Sequence, residues 1–154
     1  DKTRPSTERM WDIANTLRLT DFDLPLLFGM ATDDAHHYFT EGAGKANTGR
    51  GWVMVAAKDL SIDTVVCALE EGQFYSSTGV TLVSYFYDDR EIRIGVQEER
   101  DFIYTTIFSG KNGDVLAQTS GANASYKIKG HETYIRATIC SSSGGKAWTQ
   151  PVFV

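Results

Sequence analysis

Apolar residues recur at helical spacing early in the chain and in alternation later, and the change of rhythm falls near Gly79. Met10, Ile13, Ala14 and Leu17 share one face of a helix predicted over residues 6–19. Pro5 precedes it, Ser6 or Thr7 can cap it, and Glu8 lies in the first turn, where the helix dipole favours an acid. After the turn Asp21-Phe22-Asp23, the stretch Leu26-Leu27-Phe28-Gly29-Met30-Ala31 is apolar without alternation, which predicts a parallel strand covered on both faces. A second strand is expected over 52–57. It leads to a helix capped by Ser61, with Ile62, Val65, Val66 and Leu69 on one side and Gly72 as a left-handed C-cap.

Beyond Val80 the pattern is of short β-type runs separated by Gly, Asn, Asp and Ser. Strands are predicted over 81–87, 91–97, 102–108, 115–119, 124–128, 133–140 and 147–154, with Asn112-Gly113 as a hairpin turn. Ile135, Ala137 and Ile139 alternate with Tyr134, Arg136 and Thr138, so that strand has one face on a core. The expected fold class is therefore α+β: an α/β part over 1–79 joined to a small antiparallel β-sandwich over 80–154.

Composition narrows the functional classes. With 154 residues, 42% apolar and 23% charged, the chain can bury one core or two small ones. No run of about eighteen apolar residues exists, which excludes a membrane-spanning helix. A formal charge of −5 argues against nucleic acid as the main partner, because phosphate binding needs a concentrated basic face. Cys67 and Cys140 are far apart in apolar surroundings and are expected to be unpaired. The first residue is Asp1, so a processed product or a piece of a longer protein is expected, and missing targeting signals place no constraint on location.

Candidate chemistry concentrates in Asp33-Asp34-Ala35-His36-His37, at the end of the first predicted strand. Parallel α/β folds gather functional groups at that edge. A carboxylate and an imidazole two residues apart can share one side of extended backbone, so Asp34 and His36 could reach neighbouring metal ions together. The competing reading makes Asp33 or Asp34 the cap of a turn and leaves His36 and His37 solvated. In the Gly-rich loop that follows, Arg50 lies between Gly49 and Gly51. Its guanidinium suits an anionic substrate, while its position between glycines favours anchoring of the loop.

Three ordered stretches carry a resemblance. Ala31-Thr32-Asp33-Asp34-Ala35-His36-His37-Tyr38, then Gly49-Arg50-Gly51-Trp52-Val53-Met54-Val55, then Phe74-Tyr75-Ser76-Ser77-Thr78-Gly79-Val80 look like the C-terminal part of metallohydrolases of the polymerase and histidinol phosphatase (PHP) type. Tyr134-Ile135-Arg136-Ala137 and Ala147-Trp148-Thr149-Gln150-Pro151-Val152 are similar to the β-rich tail of one branch of that family. The resemblance implies that residues 1–79 are the C-terminal remnant of a distorted β/α barrel. It implies a site of two or three divalent metals, typically zinc, manganese or iron, with Asp34 and His36 as ligands. It also implies hydrolysis, most often of a phosphoester, by a metal-activated water.

The family's site needs an early His-x-His motif and further ligands, whereas this chain has three histidines, His36, His37 and His131. The resemblance thus implies an upstream barrel segment as partner, a small-molecule ester as substrate of the parent, and an inactive isolated chain. A cut barrel would leave strand edges open, so a homo-oligomer is also expected. The alternative function is a non-catalytic module whose sandwich recognises a glycan or a partner protein. His131, in Gly130-His131-Glu132, is expected on the surface. Trp52 and Trp148 are expected in packing roles. Ser76 and Ser77 have no paired base in sequence and are not expected to be nucleophiles.

Overall fold

A computed structural model describes residues 4–154. Within them the chain forms helix α1 (Thr7–Thr20), strand β1 (Trp52–Val55), helix α2 (Ile62–Glu70), and strands β2 (Phe74–Ser77), β3 (Leu82–Tyr87), β4 (Glu91–Val96), β5 (Tyr104–Ser109), β6 (Val115–Ser120), β7 (Asn123–Lys127), β8 (Tyr134–Ser141), β9 (Lys146–Thr149) and β10 (Val152–Phe153). Seven strands make a large sheet in the order β1-β2-β9-β8-β5-β6, with β10 also beside β8, and three make a small sheet, β3-β4-β7. Every strand pairing among the described residues is antiparallel.

The two sheets face each other across one core. Ile92, Ile94 and Tyr126 from the small sheet meet Phe108, Ile135 and Ile139 from the large one. Alternation along β8 sets this up, as the sequence predicts: Ile135, Ala137 and Ile139 point to the core. Their neighbours Tyr134, Arg136 and Thr138 point to the other face of the large sheet, yet they too are buried. That face is covered by α1 and by the extended segment 24–33, so the molecule has three layers.

The expected α+β fold with a β/α-barrel remnant is not what forms. Residues 1–79 contribute two antiparallel strands to the large sheet, and no barrel closes among the described residues. A helix between two strands suggests a parallel crossover, but such a helix must pack back over its sheet. The α2 helix leaves Ile62 82% exposed and connects β1 to its antiparallel neighbour β2 instead. The β-sandwich expectation for the later strands holds, and most predicted strands lie within two residues of the observed ones. The predicted strand over 147–154 splits into β9 and β10 at Gln150-Pro151, because proline has no N–H to continue the ladder.

The stretch predicted as a buried parallel strand also differs. Residues 24–31 belong to no ladder, and Met30 is 56% exposed. Their backbone is satisfied from one side by side chains. Leu27 donates to Asn15 Oδ1 at 2.7 Å, and its carbonyl accepts from Trp11 Nε1 and Asn15 Nδ2. Gly29 donates to Gln150 Oε1 at 2.7 Å, and its carbonyl accepts from Gln150 Nε2 and the Ser76 hydroxyl, while Ala31 N–H donates to Ser76 Oγ. Bonded groups at 27, 29 and 31 have the two-residue period of extended chain. Carboxamides and a hydroxyl thus do the work of a neighbouring strand. A side chain at Gly29 would force the Trp11 ring to shift, since a Cβ would lie 2.9 Å from it. Gln150→Ala removes two bonds to Gly29 and is expected to cost about 1–3 kcal/mol, measurable as a drop in thermal stability.

Helix α1 begins and ends close to its predicted limits, with Ser6 Oγ accepting from Arg9 N–H as N-cap. It docks, however, by its polar side. Asp12, Asn15 and Thr16 are buried, whereas Met10 (49%) and Leu17 (42%) of the predicted core face are exposed. The reason is Arg136, a charged residue on the covered face of β8. It bonds Asp12 through Nε and Nη2, both at 2.7 Å, and Glu8 through Nη1 at 3.0 Å. A buried guanidinium must be paired, and the acids that pair it fix which face of α1 turns inward. Asn112 N–H donates to Thr16 Oγ1, and both Asn112 (φ 56°) and Gly113 (φ 71°) are left-handed in a 3-10 turn against α1. Both cysteines are unpaired. No helix among the described residues is long and apolar enough to cross a membrane.

Candidate functional site

The segment clipped by Gln150 and Ser76 runs directly into Thr32-Asp33-Asp34, so the rigid face of the large sheet sets where the candidate residues begin. Asp33 then closes the loop that follows. Its Oδ1 accepts from the backbone N–H of Arg50 at 2.5 Å and of Gly51 at 2.7 Å, and its Oδ2 from Gly49 at 3.0 Å. The N–H groups of Gly51 and Gly49 pull its carboxyl below the usual range, against a small opposing effect of burial, and the nearby Arg50 charge adds to them. Three successive N–H groups converging on one anion need an unusual backbone, which Gly49 supplies at φ 78°.

A second set of bonds holds the loop above this closure. The N–H groups of His36 and His37 both donate to Ala46 O at 2.9 and 3.0 Å, and Ala46 N–H donates to His37 Nδ1 at 3.1 Å. Asn47 Nδ2 donates to the carbonyls of His37 and Thr40. His37 is thereby committed to the loop itself.

Asp34 and His36 are left projecting. Their side chains are 89% and 67% exposed, and His36 Nδ1 lies 3.8 Å from Asp34 Oδ1. His36 Nδ1 is also 2.6 Å from the carbonyl oxygen of Asp34. A carbonyl only accepts, so Nδ1 carries the proton, and in the neutral ring Nε2 keeps its lone pair. Asp34 itself is left-handed, at φ 50°, a conformation that aspartate tolerates better than most residues.

The structure therefore brings Asp34 and His36 together and leaves their donor atoms accessible. It gives the capping role, which the sequence left open between Asp33 and Asp34, to Asp33. Arg50 is exposed, and its backbone N–H anchors the loop through Asp33. Among the described residues no three of His, Cys, Asp or Glu come together as a set that could hold a metal. His131 is exposed, as expected. Ser76 and Ser77 have their hydroxyls committed to backbone groups.

No family model, curated protein or solved structure matches this chain.

The sequence reading missed Asn47, whose carboxamide spans the loop, and Gln150, which places the segment before Asp33. Neither belongs to a motif, and each acts on residues that only the fold brings near. The Asp33 bonds were partly legible, since Gly-Arg-Gly has the composition of a backbone anion site.

Proposed function

We propose that this chain supplies Asp34 and His36 to a divalent metal site completed by residues outside the described set, in a metal-dependent hydrolase of PHP type acting on an ester, a phosphoester foremost. The observation that carries the reading is the accessible carboxylate beside an imidazole whose Nδ1–H is spent on a backbone carbonyl. Metal-bound histidines generally donate their other ring N–H to a carbonyl or carboxylate, which fixes the ring and its tautomer. An oxygen and an imidazole nitrogen form a donor pair that suits zinc, manganese or iron. The ordered likeness of residues 31–38, 49–55 and 74–80 to those hydrolases supports the same reading.

A divalent cation at such a site makes a bound water acidic and stabilises negative charge on substrate oxygens. For the chain's own part, Asp34 contributes a carboxylate that offsets the ion's charge. His36 contributes Nε2 on a ring whose other nitrogen is bonded to the Asp34 carbonyl. Arg50, held by the loop closure, presents a guanidinium to the anionic part of the substrate. The exposed apolar face of α1, with Met10 and Leu17, together with Met30, is where a further segment or subunit carrying the other ligands is proposed to sit.

Calorimetric titration of zinc or manganese into the chain tests this reading. Weak uptake is expected, lowered about tenfold or more in Asp34→Ala and in His36→Ala. Indistinguishable uptake by all three proteins would remove both residues from the site. The isolated chain is expected to show no phosphoesterase turnover. A non-catalytic module would bind a glycan or a protein without any effect of these two substitutions.

A further inference from the structure

Asp33 stands next to the proposed ligands but has both carboxylate oxygens occupied by the Gly49, Arg50 and Gly51 N–H groups. These bonds reach across 16 to 18 residues of chain and fasten the two ends of the loop at its base. The base is tightly packed: a Cβ at Gly51 would lie 2.9 Å from the Thr32 carbonyl oxygen. The residue after Asp33 is the left-handed Asp34, and it is the Asp34 carbonyl, turned by that conformation, that receives Nδ1–H of His36. Left-handed backbone carries a cost for an L residue even where, as for aspartate, it is better tolerated than usual, so the chain on either side must help to hold it.

We propose that Asp33 is the positioning residue of this site: by tying Gly49, Arg50 and Gly51 to the chain before Asp34, it holds Asp34 left-handed and so keeps His36 as the Nδ1–H tautomer with Nε2 facing outward. This rests on the reading of Asp34 and His36 as ligands. The function assigned to Asp33 is second-hand, since it touches neither a metal nor a substrate. It acts on the orientation of a carbonyl, which selects which ring nitrogen of His36 is bare. If Asp33 merely closed the loop, the ring of His36 would be indifferent to it.

Long-range proton–nitrogen correlation spectra of the imidazoles, recorded on the full chain, read this directly. The unaltered protein is expected to show neutral His36 as Nδ1–H. Asp33→Asn and Asp33→Ala are expected to give a mixture rich in the Nε2–H form, which a solvated imidazole favours, and zinc uptake reduced by about ten- to a hundredfold. Arg50→Ala, which keeps the backbone N–H, is expected to leave the tautomer unchanged. An undisturbed Nδ1–H signal in Asp33→Ala would overturn the assignment, because Asp33 would then only close the loop. So would collapse of the core resonances of Ile92 and Ile139 in both variants, which would make it a folding residue. If no zinc binds even to the unaltered chain, the metal reading fails, while the tautomer comparison still decides what Asp33 does.

Discussion

Replacing Asp12 with alanine is expected to destabilise the protein by about 3–5 kcal/mol, the largest effect of any single substitution considered for this chain. The side chains of Asp12 and Arg136 are 4% and 2% exposed, and both Oδ atoms of Asp12 bond the guanidinium. Asp12 Oδ1 also accepts from the Tyr134 hydroxyl at 3.1 Å. Removing the carboxylate leaves Glu8, whose own carboxyl is partly exposed, as the acid facing the buried cation, and it takes one acceptor from the Tyr134 hydroxyl, which keeps the Asp12 carbonyl at 3.2 Å. Burial works against the charged form of Arg136, and the hydrogen bonds and charges of Asp12 and Glu8 outweigh it to hold its pKa above the usual value. Chemical denaturation of Asp12→Ala, Arg136→Met and the double variant measures the coupling. The double variant is expected to be more stable than Asp12→Ala, since it removes the stranded charge, and equal stability would show that α1 is not held by this pair.

Acid sensitivity is the second large effect, and it centres on Glu132. Burial alone would raise its pKa, but the Lys129 N–H, the Tyr126 hydroxyl and the His131 N–H all donate to the carboxylate at 2.8 Å and pull it down to about 2. A folded value below the ordinary 4.5 means that the unfolded chain binds the proton more tightly. The associated stability is therefore fully present above pH 4.5 and is lost as the pH falls towards about 2. Its size follows from the gap between the two values, about 3 kcal/mol. Glu132→Gln presents an amide N–H to the His131 N–H and is expected to lose about 2–3 kcal/mol at neutral pH. The gap between variant and parent in urea denaturation should shrink steadily between about pH 5 and pH 2. A gap that stays constant across that range would show that the carboxylate's charge is not what these bonds require.

Both effects come from buried charge, and both were hard to read from the sequence for the same reason. Glu132 looks like one residue of a polar turn, Gly130-His131-Glu132, and Arg136 looks like the exposed partner in an alternating strand. In a two-layer sandwich that face of β8 would be wet. Only a third layer makes it dry, and α1 becomes that layer by turning its acids inward. The apolar spacing of Met10, Ile13 and Leu17 correctly marks a helix, but it does not say which side will dock when the surface beneath carries a guanidinium.

The candidate site was legible in part. Asp34 and His36 stand side by side, as their spacing suggests, but a left-handed turn at Asp34 rather than extended chain brings them there. That Asp33 rather than Asp34 is the cap depends on Gly49 and Gly51, which arrive from more than fifteen residues away. The α/β part expected for residues 1–79 drew on local patterns, an apolar run and a strand–helix–strand order, which are compatible with more than one pairing, and the resemblance that implied a barrel rested on short stretches of the same kind.

What the sequence alone determined is local: where α1 and α2 start and stop, the alternation that gives the later strands their faces, the Asn112-Gly113 reversal, and the adjacency of an acid and an imidazole. Capping, periodicity and left-handed turns are decided within a few residues, so they can be read there. What tertiary structure alone decided is partnership: β1 and β2 antiparallel in the large sheet, Gln150 and Asn15 satisfying the backbone of 24–31, Arg136 choosing the face of α1, and Asp33 fastening a distant loop. Backbone groups and buried charges must find partners somewhere. Which partners they find depends on what the rest of the chain brings within about 3 Å, and no local pattern carries that information.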